Sequence, residues 1–302
     1  MRYELFFAAR HAVPSLPQLH AYFAGRPHYQ VASDRASYFH PSTGVGFAFS
    51  FHPVEGEYLV IFSVEYLRSH VFVLEARPEV AAFIAHFDLA VYDPQDGGMT
   101  EGAFEAEAML RGYNHGNALA HRWHFREHDP AVRPGLPCDE RRAIWRWNVA
   151  RDRYADHLGR VEGSPCAVPR IEFVRDPDAP ARARTAVRWL QALPLALPRV
   201  DLVLYVPEPG ATPSVVAMRD LLPHLADLSL REPGSTFRAG TEDVVVPLPH
   251  HLVQHAIAPL ELVRTLAGGA RHDDLDLLAP DTVLDEEVVI AARRDPPQSA
   301  AG

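Results

Sequence analysis

Alternating apolar and polar positions dominate the first hundred residues. The clearest run is 45–51, where valine and phenylalanine alternate with glycine, alanine and serine, which predicts a half-buried strand with one aromatic face. Further extended runs are predicted at 3–9, 29–39, 57–66, 70–75 and 89–92, with helices near 16–25 and 78–87. Because an aromatic face needs a cover, we expect residues 1–97 to form an antiparallel-rich sheet with these two helices packed on it.

The middle of the chain has helical periodicity. Apolar residues recur at helical spacing from Thr100 to about His128 and again from Asp139 to about Leu158, with three prolines and a glycine between the two stretches. The pattern predicts a central helical hairpin over residues 98–160.

The second half mixes both periodicities. Strands are predicted at 171–174, 186–191, 200–206, 243–247 and 288–291, and helices at 215–225 and 252–266. The Gly/Pro-rich stretch 159–180 is the predicted boundary, so residues 168–294 are expected to form a second α+β domain. Residues 295–302, which contain two prolines and small residues, are expected to be a disordered tail. The predicted fold class is therefore α+β, and no internal repeat is evident.

Composition excludes several classes of enzyme. The chain has 302 residues and a formal charge of −10, and all 29 of its Lys and Arg residues are arginine. Without lysine there is no P-loop phosphate lysine, no kinase lysine and no Schiff-base lysine. An arginine-rich, lysine-free composition is also what a GC-rich bacterial genome produces.

Charge and hydropathy limit the partners and the location. A strongly negative chain disfavours nucleic acid, because phosphate binding needs a basic surface. No apolar run approaches the roughly 18 to 20 residues that span a bilayer, and the N-terminus lacks the pattern of a signal peptide. The two cysteines, Cys138 and Cys166, do not form a Cys-x-x-Cys pair. We therefore expect a cytoplasmic protein that binds neither nucleic acid nor membrane.

One polar stripe stands out on the first middle helix. It consists of Asn114, Asn117, His121, His124 and His128. Histidines one turn apart can bind zinc, and Glu127 is a further oxygen donor, but no His-Glu-x-x-His motif accompanies them. The spacing favours a partner-facing polar surface over a metal site formed by His121, His124 and His128. An apolar stripe lies beside it on the same helix and is predicted to face the core. That apolar stripe consists of Met109, Tyr113, Gly116, Ala120 and Trp123.

Other candidate groups have simpler explanations. His250, His251 and His255 lie near the start of a predicted helix, at the edge of its apolar face. Asp93 and Asp96 lie in an Asp-Pro…Gly-Gly segment that is typical of turns. No nucleophile motif such as Gly-x-Ser-x-Gly occurs, so no cofactor and no catalytic residue is predicted from the sequence.

Several segments of the first half resemble a paralogue-rich group of uncharacterised bacterial proteins, some of them neighbours of toxin genes and thought to include immunity proteins. The segments are Tyr22-Phe23-Ala24-Gly25-Arg26, Thr43-Gly44-Val45-Gly46-Phe47-Ala48-Phe49, Phe72 to Ala76, Asp93-Pro94-Gln95 and Gly112-Tyr113-Asn114-His115-Gly116-Asn117. The resemblance implies a role in binding another protein and implies no catalytic residue.

Three functions remain open at this level. The first is a non-catalytic immunity protein that binds a toxin, with a basic toxin favoured by the charge of −10. The second is a metal-dependent hydrolase that uses the histidine stripe. The third is an intracellular scaffold.

Overall fold

The computed structural model divides the chain into two compact units. Unit 1 comprises Met1–Cys138 and Asp281–Gly302, and unit 2 comprises Asp139–Pro280. The structure describes residues 1–51, 59–127, 133–162, 165–190, 195–208, 210–225, 230–231, 236–239, 242–245, 250–253, 265–267 and 275–294. The expected tail 295–302 lies outside these ranges.

Unit 1 is built on a seven-stranded antiparallel sheet. Its strands are β1 (Arg2–Ala9), β2 (Tyr29–Val31), β3 (Arg35–Phe39), β4 (Gly46–Phe51), β5 (Val60–Glu65), β6 (Leu89–Asp93) and β7 (Thr100–Gly102), in the spatial order β2-β3-β4-β5-β1-β6-β7. Along β4 the phenylalanines are buried and the intervening residues are half-buried, as the alternation predicts. The antiparallel-rich sheet and the α+β class expected from the sequence are confirmed.

Helices cover the inner face of this sheet. They are α1 (Leu16–Ala24), α2 (Val71–Phe87) and α3 (Ala106–Glu127), and unit 1 also contains the C-terminal helix α6 (Glu286–Arg294), which packs on α3. Ser15 is the N-cap of α1. The ring of Phe23 on α1 lies 4.9 Å from Phe49 and 5.4 Å from Phe83 on α2. Burial of these rings, worth about 1.5–3 kcal/mol each, fixes both helices against the sheet.

Two predicted extended segments are helical instead. Residues 70–75, predicted to be extended, form the first turn of α2, and Pro78 lies inside this helix rather than at its start. Val71, Val80 and Phe83 are buried on α2, so tertiary packing outweighs the β-branched composition that suggested a strand. Residues 288–291 lie in α6, which begins with two glutamates and buries Val289 and Ala292 one turn apart.

Unit 2 contains a mixed sheet. Its described strands are β9 (Ile171–Arg175), β10 (Ala183–Leu190), β12 (Leu202–Val206), β13 (Ser214–Ala217) and β18 (Leu277–Leu278), in the order β13-β12-β10-β9-β18. The pair β10 and β12 is parallel, and the other neighbours are antiparallel. Every residue of β12 is buried, which agrees with its continuous apolar sequence.

Smaller elements complete unit 2. They are β11 (Leu195–Pro198), β14 (Leu230–Arg231), β15 (Thr236–Ala239), β16 (Glu242–Val245), β17 (His250–Val253) and helix α5 (Met218–Leu225). The predicted helix 252–266 begins inside β17, so it is wrong for residues 252 and 253, while most of the rest lies outside the described residues. The predicted helix 215–225 begins only at Met218, because residues 214–217 pair with β12.

The long helix α4 (Cys138–Glu162) belongs to unit 2 apart from its first residue. It buries Trp147, Ala150, Tyr154 and Leu158, which recur at helical spacing. The units differ from the expected segments 1–97, 98–160 and 168–294, because α3 and α4 fall in different units and residues 281–294 return to unit 1. Among the described residues, no helix combines the length and the apolarity needed to cross a membrane.

Candidate functional site

The polar stripe of α3 is divided between surface and interior. Asn114 is exposed and His124 is half-buried, whereas Asn117 and His121 are each only 1% exposed, and His128 lies outside the described residues. A single partner-facing surface made from all five residues is therefore not what the helix presents. The predicted core stripe is likewise revised at Trp123, which is 56% exposed.

Buried α3 side chains hold the connection between β5 and α2. The Asn117 side chain accepts a hydrogen bond from Leu67 N–H at 2.7 Å and donates one to the Arg68 carbonyl at 2.8 Å. The Tyr113 hydroxyl donates to the carbonyls of Glu65 and Arg68 at 3.3 Å. Leu67 has a φ of 63°, so these bonds stabilise a backbone turn that a leucine does not favour.

This connection presents Ser69 and His70 to a buried carboxylate. Asp285, only 2% exposed, accepts hydrogen bonds from Ser69 Oγ at 2.5 Å, from His70 N–H at 2.7 Å and from His70 Nδ1 at 3.0 Å. Asp285 therefore caps the N-terminus of α2 from a segment far along the chain. Burial alone would raise the pKa of Asp285, but the hydrogen bonds from His70 and Ser69 outweigh it, so the pKa lies below its ordinary value.

A short parallel strand pair brings Asp285 and Cys138 together. Strand β19 (Leu284–Asp285) pairs with β8 (Gly135–Leu136), with Asp285 opposite Leu136. Cys138 follows as the first residue of α4, and its N–H donates to both carboxylate oxygens of Glu287 at 3.0 Å. Burial opposes ionisation of Glu287, but hydrogen bonds from Cys138 outweigh it and lower the pKa.

Three potential metal ligands converge at this point. A ring nitrogen of His70, Sγ of Cys138 and a carboxylate oxygen of Asp285 all lie within 4.8 Å of one another. His70 is 4% exposed, and Cys138 is half-buried. Imidazole, thiolate and carboxylate are the three ligand types that zinc takes in proteins.

The distance between the sulfur and the carboxylate distinguishes a metal site from a Cys-His-Asp catalytic triad. In a triad the carboxylate and the nucleophile contact opposite ring nitrogens, which places their atoms roughly 7 to 8 Å apart. Here the sulfur of Cys138 and a carboxylate oxygen of Asp285 are within 4.8 Å. These distances fit three ligands of one ion better than a catalytic relay.

His121 is the unsatisfied group beside this cluster. Neither ring nitrogen has a hydrogen-bond partner among the described residues, although the ring is buried. Burial is the main reason that its pKa falls to about 4; the charge of Arg133 lowers it further, and that of Asp285 opposes the shift. The imidazole is therefore neutral at pH 7. An unpaired buried imidazole of this kind is expected beside an ordered water or ion.

The remaining candidate residues do not join this cluster. His250 and His251 lie in β17, and His255 is outside the described residues. Asp93 closes its turn by accepting hydrogen bonds from Tyr3 Oη at 2.6 Å and from the N–H groups of Gln95 and Met99, so its role is structural. Cys166 is buried in unit 2, and both cysteines are free thiols.

Sequence reasoning missed His70, Cys138 and Asp285 because they are far apart in the chain. Cys138 follows His70 by 68 positions, and Asp285 follows Cys138 by 147. Each lies at the start of a helix, which is the local signal they share. Comparison with known proteins adds no relative: no protein-family model, no curated protein and no solved structure matches this chain.

Proposed function

We propose that this protein binds a zinc-class transition-metal ion through His70, Cys138 and Asp285. The convergence of three different donor atoms within 4.8 Å in unit 1 carries the proposal. Nδ1 of His70 and Oδ1 of Asp285 are 3.0 Å apart, at hydrogen-bond distance. An ion would displace the thiol proton of Cys138, so binding would strengthen as pH rises.

A structural role fits the burial of the site better than a hydrolytic one. His70 and Asp285 are 4% and 2% exposed, which leaves little access for a substrate. The ligands come from three distant segments, namely the start of α2, the start of α4 and the end of β19. An ion that joins them would close two long loops of the chain and so favour the folded unit 1.

Elemental analysis of untagged protein tests the metal. We expect about one zinc per chain, and we expect Cys138→Ser to lose most of it because a hydroxyl replaces the thiolate ligand. Cys166→Ser is the matched control, since Cys166 is the other free thiol and lies in unit 2. Protein without metal in each preparation, including protein reconstituted with zinc, would contradict the proposal.

Thermal melts with and without chelator test the structural role. We expect chelation to lower the melting temperature of the wild-type protein and of Cys166→Ser, and to leave Cys138→Ser unchanged. If zinc binds stoichiometrically but chelation does not change the wild-type melt, the ion is not structural, and the metal-dependent hydrolase becomes the better proposal.

We also propose that the protein acts by binding another protein, with an immunity role as the specific form. The observation that favours it is the exposed side of α3, where Leu119 is 40% and Trp123 is 56% exposed, one turn apart and beside exposed Asn114 and His115. Exposed tryptophan is typical of the residues that dominate binding energy in protein interfaces. The charge of −10 favours a basic partner, such as a basic toxin.

Co-expression with the products of adjacent small reading frames tests this second proposal. A toxin partner should inhibit growth alone and co-purify with the protein when growth is rescued. Trp123→Ala should weaken rescue and co-purification, whereas Leu190→Ala, at a residue of unit 2 that is 46% exposed, should not. Absence of rescue and of a complex across all neighbouring products would contradict the immunity role.

A further inference from the structure

The outer face of the unit 1 sheet contains a groove of about 320 Å³. Side chains along β3, β4 and β5 alternate between the two faces of the sheet, and those on the groove side are mostly small. The floor of the groove is formed by Gly46, Ala48, Ser50 and Ser63. Ala48 is opposite Ser63 in the ladder, and Ser50 is opposite Arg35. Because these side chains are short, a concave surface forms where a sheet normally presents a flat one.

Three arginines line this groove in a chain of net charge −10. Arg2 pairs with Glu65 at 2.7 Å, and Arg68 pairs with Asp281 at 3.5 Å, and both acids also line the groove. Arg35 is exposed, and within the part of the chain that the structure describes no carboxylate lies at ion-pair distance from it. Among the residues that the structure describes, the groove therefore holds one positive charge, that of Arg35, without an ion-pair partner.

Polar and apolar contacts are combined in the same groove. Ser50 and Ser63 offer hydroxyl groups, while the ring of Phe39, which is 59% exposed, forms part of the wall. Gly46 lies opposite Phe39 in the ladder, so no side chain covers that ring from the neighbouring strand.

Arg68 is held in place before any ligand arrives. Its carbonyl accepts hydrogen bonds from Asn117 and Tyr113, and its guanidinium donates to the Asp281 carbonyl at 3.2 Å. A fixed wall reduces the entropy that a ligand loses on binding.

We propose that this groove binds a small organic oxyanion, with the anionic group on Arg35 and a flat apolar part against Phe39. Guanidinium groups bind carboxylate and phosphate oxygens through paired hydrogen bonds. Because ligand pockets are typically about 300–1,000 Å³, a groove of about 320 Å³ has room for a ligand with a single ring.

Isothermal titration calorimetry with phenyl phosphate, benzoate and neutral benzamide tests the proposal on the full chain. Phenyl phosphate, benzoate or both should bind saturably, and benzamide should bind at least about tenfold more weakly. The comparison of the two anions assigns the groove to phosphate or to carboxylate ligands.

Arg35→Gln should weaken binding of the preferred anion by about tenfold or more, which corresponds to loss of a charge-assisted hydrogen bond. Arg10→Gln is the matched control, because Arg10 is an exposed arginine of unit 1 outside the groove. Unchanged melts would show that both variants fold. No saturable binding of either anion, equal binding of benzamide, or equal affinity of the two variants would overturn the proposal.

Discussion

Two neighbouring buried polar residues of unit 1 have opposite hydrogen-bonding states. Asp285 accepts three hydrogen bonds from Ser69 and His70, whereas His121 has no partner among the described residues. A satisfied buried group stabilises a fold only modestly, but an unsatisfied one costs about 1–3 kcal/mol. The hydrogen bonds of Asp285 therefore fix the structure around it, whereas the buried His121 ring, which has no partner among the described residues, is a cost to the fold.

Asp285→Asn should destabilise unit 1 even without metal. The amide NH₂ would replace one oxygen acceptor and face a donor from Ser69 or His70, so we expect a loss of about 3–5 kcal/mol, as when a buried pair is broken. Asp276→Asn is the control, because the Asp276 side chain is 60% exposed in its ion pair with Arg175, and exposed pairs are worth about 0–1 kcal/mol. Urea denaturation of chelator-treated protein measures both, and equal losses would contradict the prediction.

His121→Leu should make the chelator-treated protein less sensitive to acid. In the folded protein the pKa of His121 is about 4, below its ordinary value of 6.5, so the unfolded state takes up a proton first as pH falls. The stability that neutral His121 contributes is complete above pH 6.5 and is lost as the pH falls toward 4. Unfolding midpoints at neutral and acidic pH, with exposed His115→Leu as control, measure the difference. An identical acid loss in both variants would argue against it.

At the scale of elements, helical periodicity predicts helix α3 and its buried apolar face, but it does not predict which polar residues of the helix are buried. Its existence and its buried Met109, Tyr113 and Ala120 follow from helical spacing. The spacing predicts Asn117 on a polar surface stripe, but its side chain is buried because the β5–α2 turn offers it two backbone groups. That turn is a tertiary feature, so no local pattern on α3 reveals it.

The same distinction applies to the proposed metal ligands and to the strands. The apolar–polar alternation at 45–51 shows which residues share one face, so β4 and its buried face could be predicted from the sequence. Cys138 and Asp285 meet only because β8 and β19 pair in parallel, and each of these strands has two residues. A two-residue strand has no periodicity to recognise, so the candidate site was beyond local sequence reasoning.

Gly98→Ala should open the turn that follows β6. A Cβ at Gly98 would overlap the carboxylate of Asp93, which accepts the hydrogen bonds that close this turn. Overpacking of this kind costs about 1–3 kcal/mol. Gly25→Ala is the control, because its added Cβ would approach no atom closer than 3.7 Å. Thermal melts compare the two, and a Gly98 variant as stable as the Gly25 variant would show that the turn adjusts freely.

At the scale of the whole molecule, buried tyrosines of unit 1 should set its alkaline limit. Burial raises the pKa of Tyr3, Tyr29, Tyr38 and Tyr113 far above 10. Burial, together with the charges of Asp93 and Glu4, raises the pKa of Tyr66 to about 12. Above pH 10 these tyrosines therefore stay protonated in the folded state, whereas they lose their protons in the unfolded state.

The free energy of unfolding of unit 1 should fall as the pH rises above 10. A raised folded pKa contributes stability that is complete below pH 10 and is lost as pH rises from 10 toward 12. Tyrosinate absorbance should therefore increase in two stages, the second coinciding with loss of circular dichroism. A single stage near pH 10 with the secondary structure intact would refute this.

The pairing of β8 with β19 also sets an order for biosynthesis. The ribosome completes the seven-stranded sheet and α3 long before it makes Asp285, which follows His70 by 215 residues. Until then the N-terminus of α2 lacks the Asp285 carboxylate, and the N–H of Cys138 lacks its acceptor Glu287. A nascent chain that stalls in unit 2 would therefore contain every strand of the seven-stranded sheet but not the carboxylates that cap α2 and the start of α4.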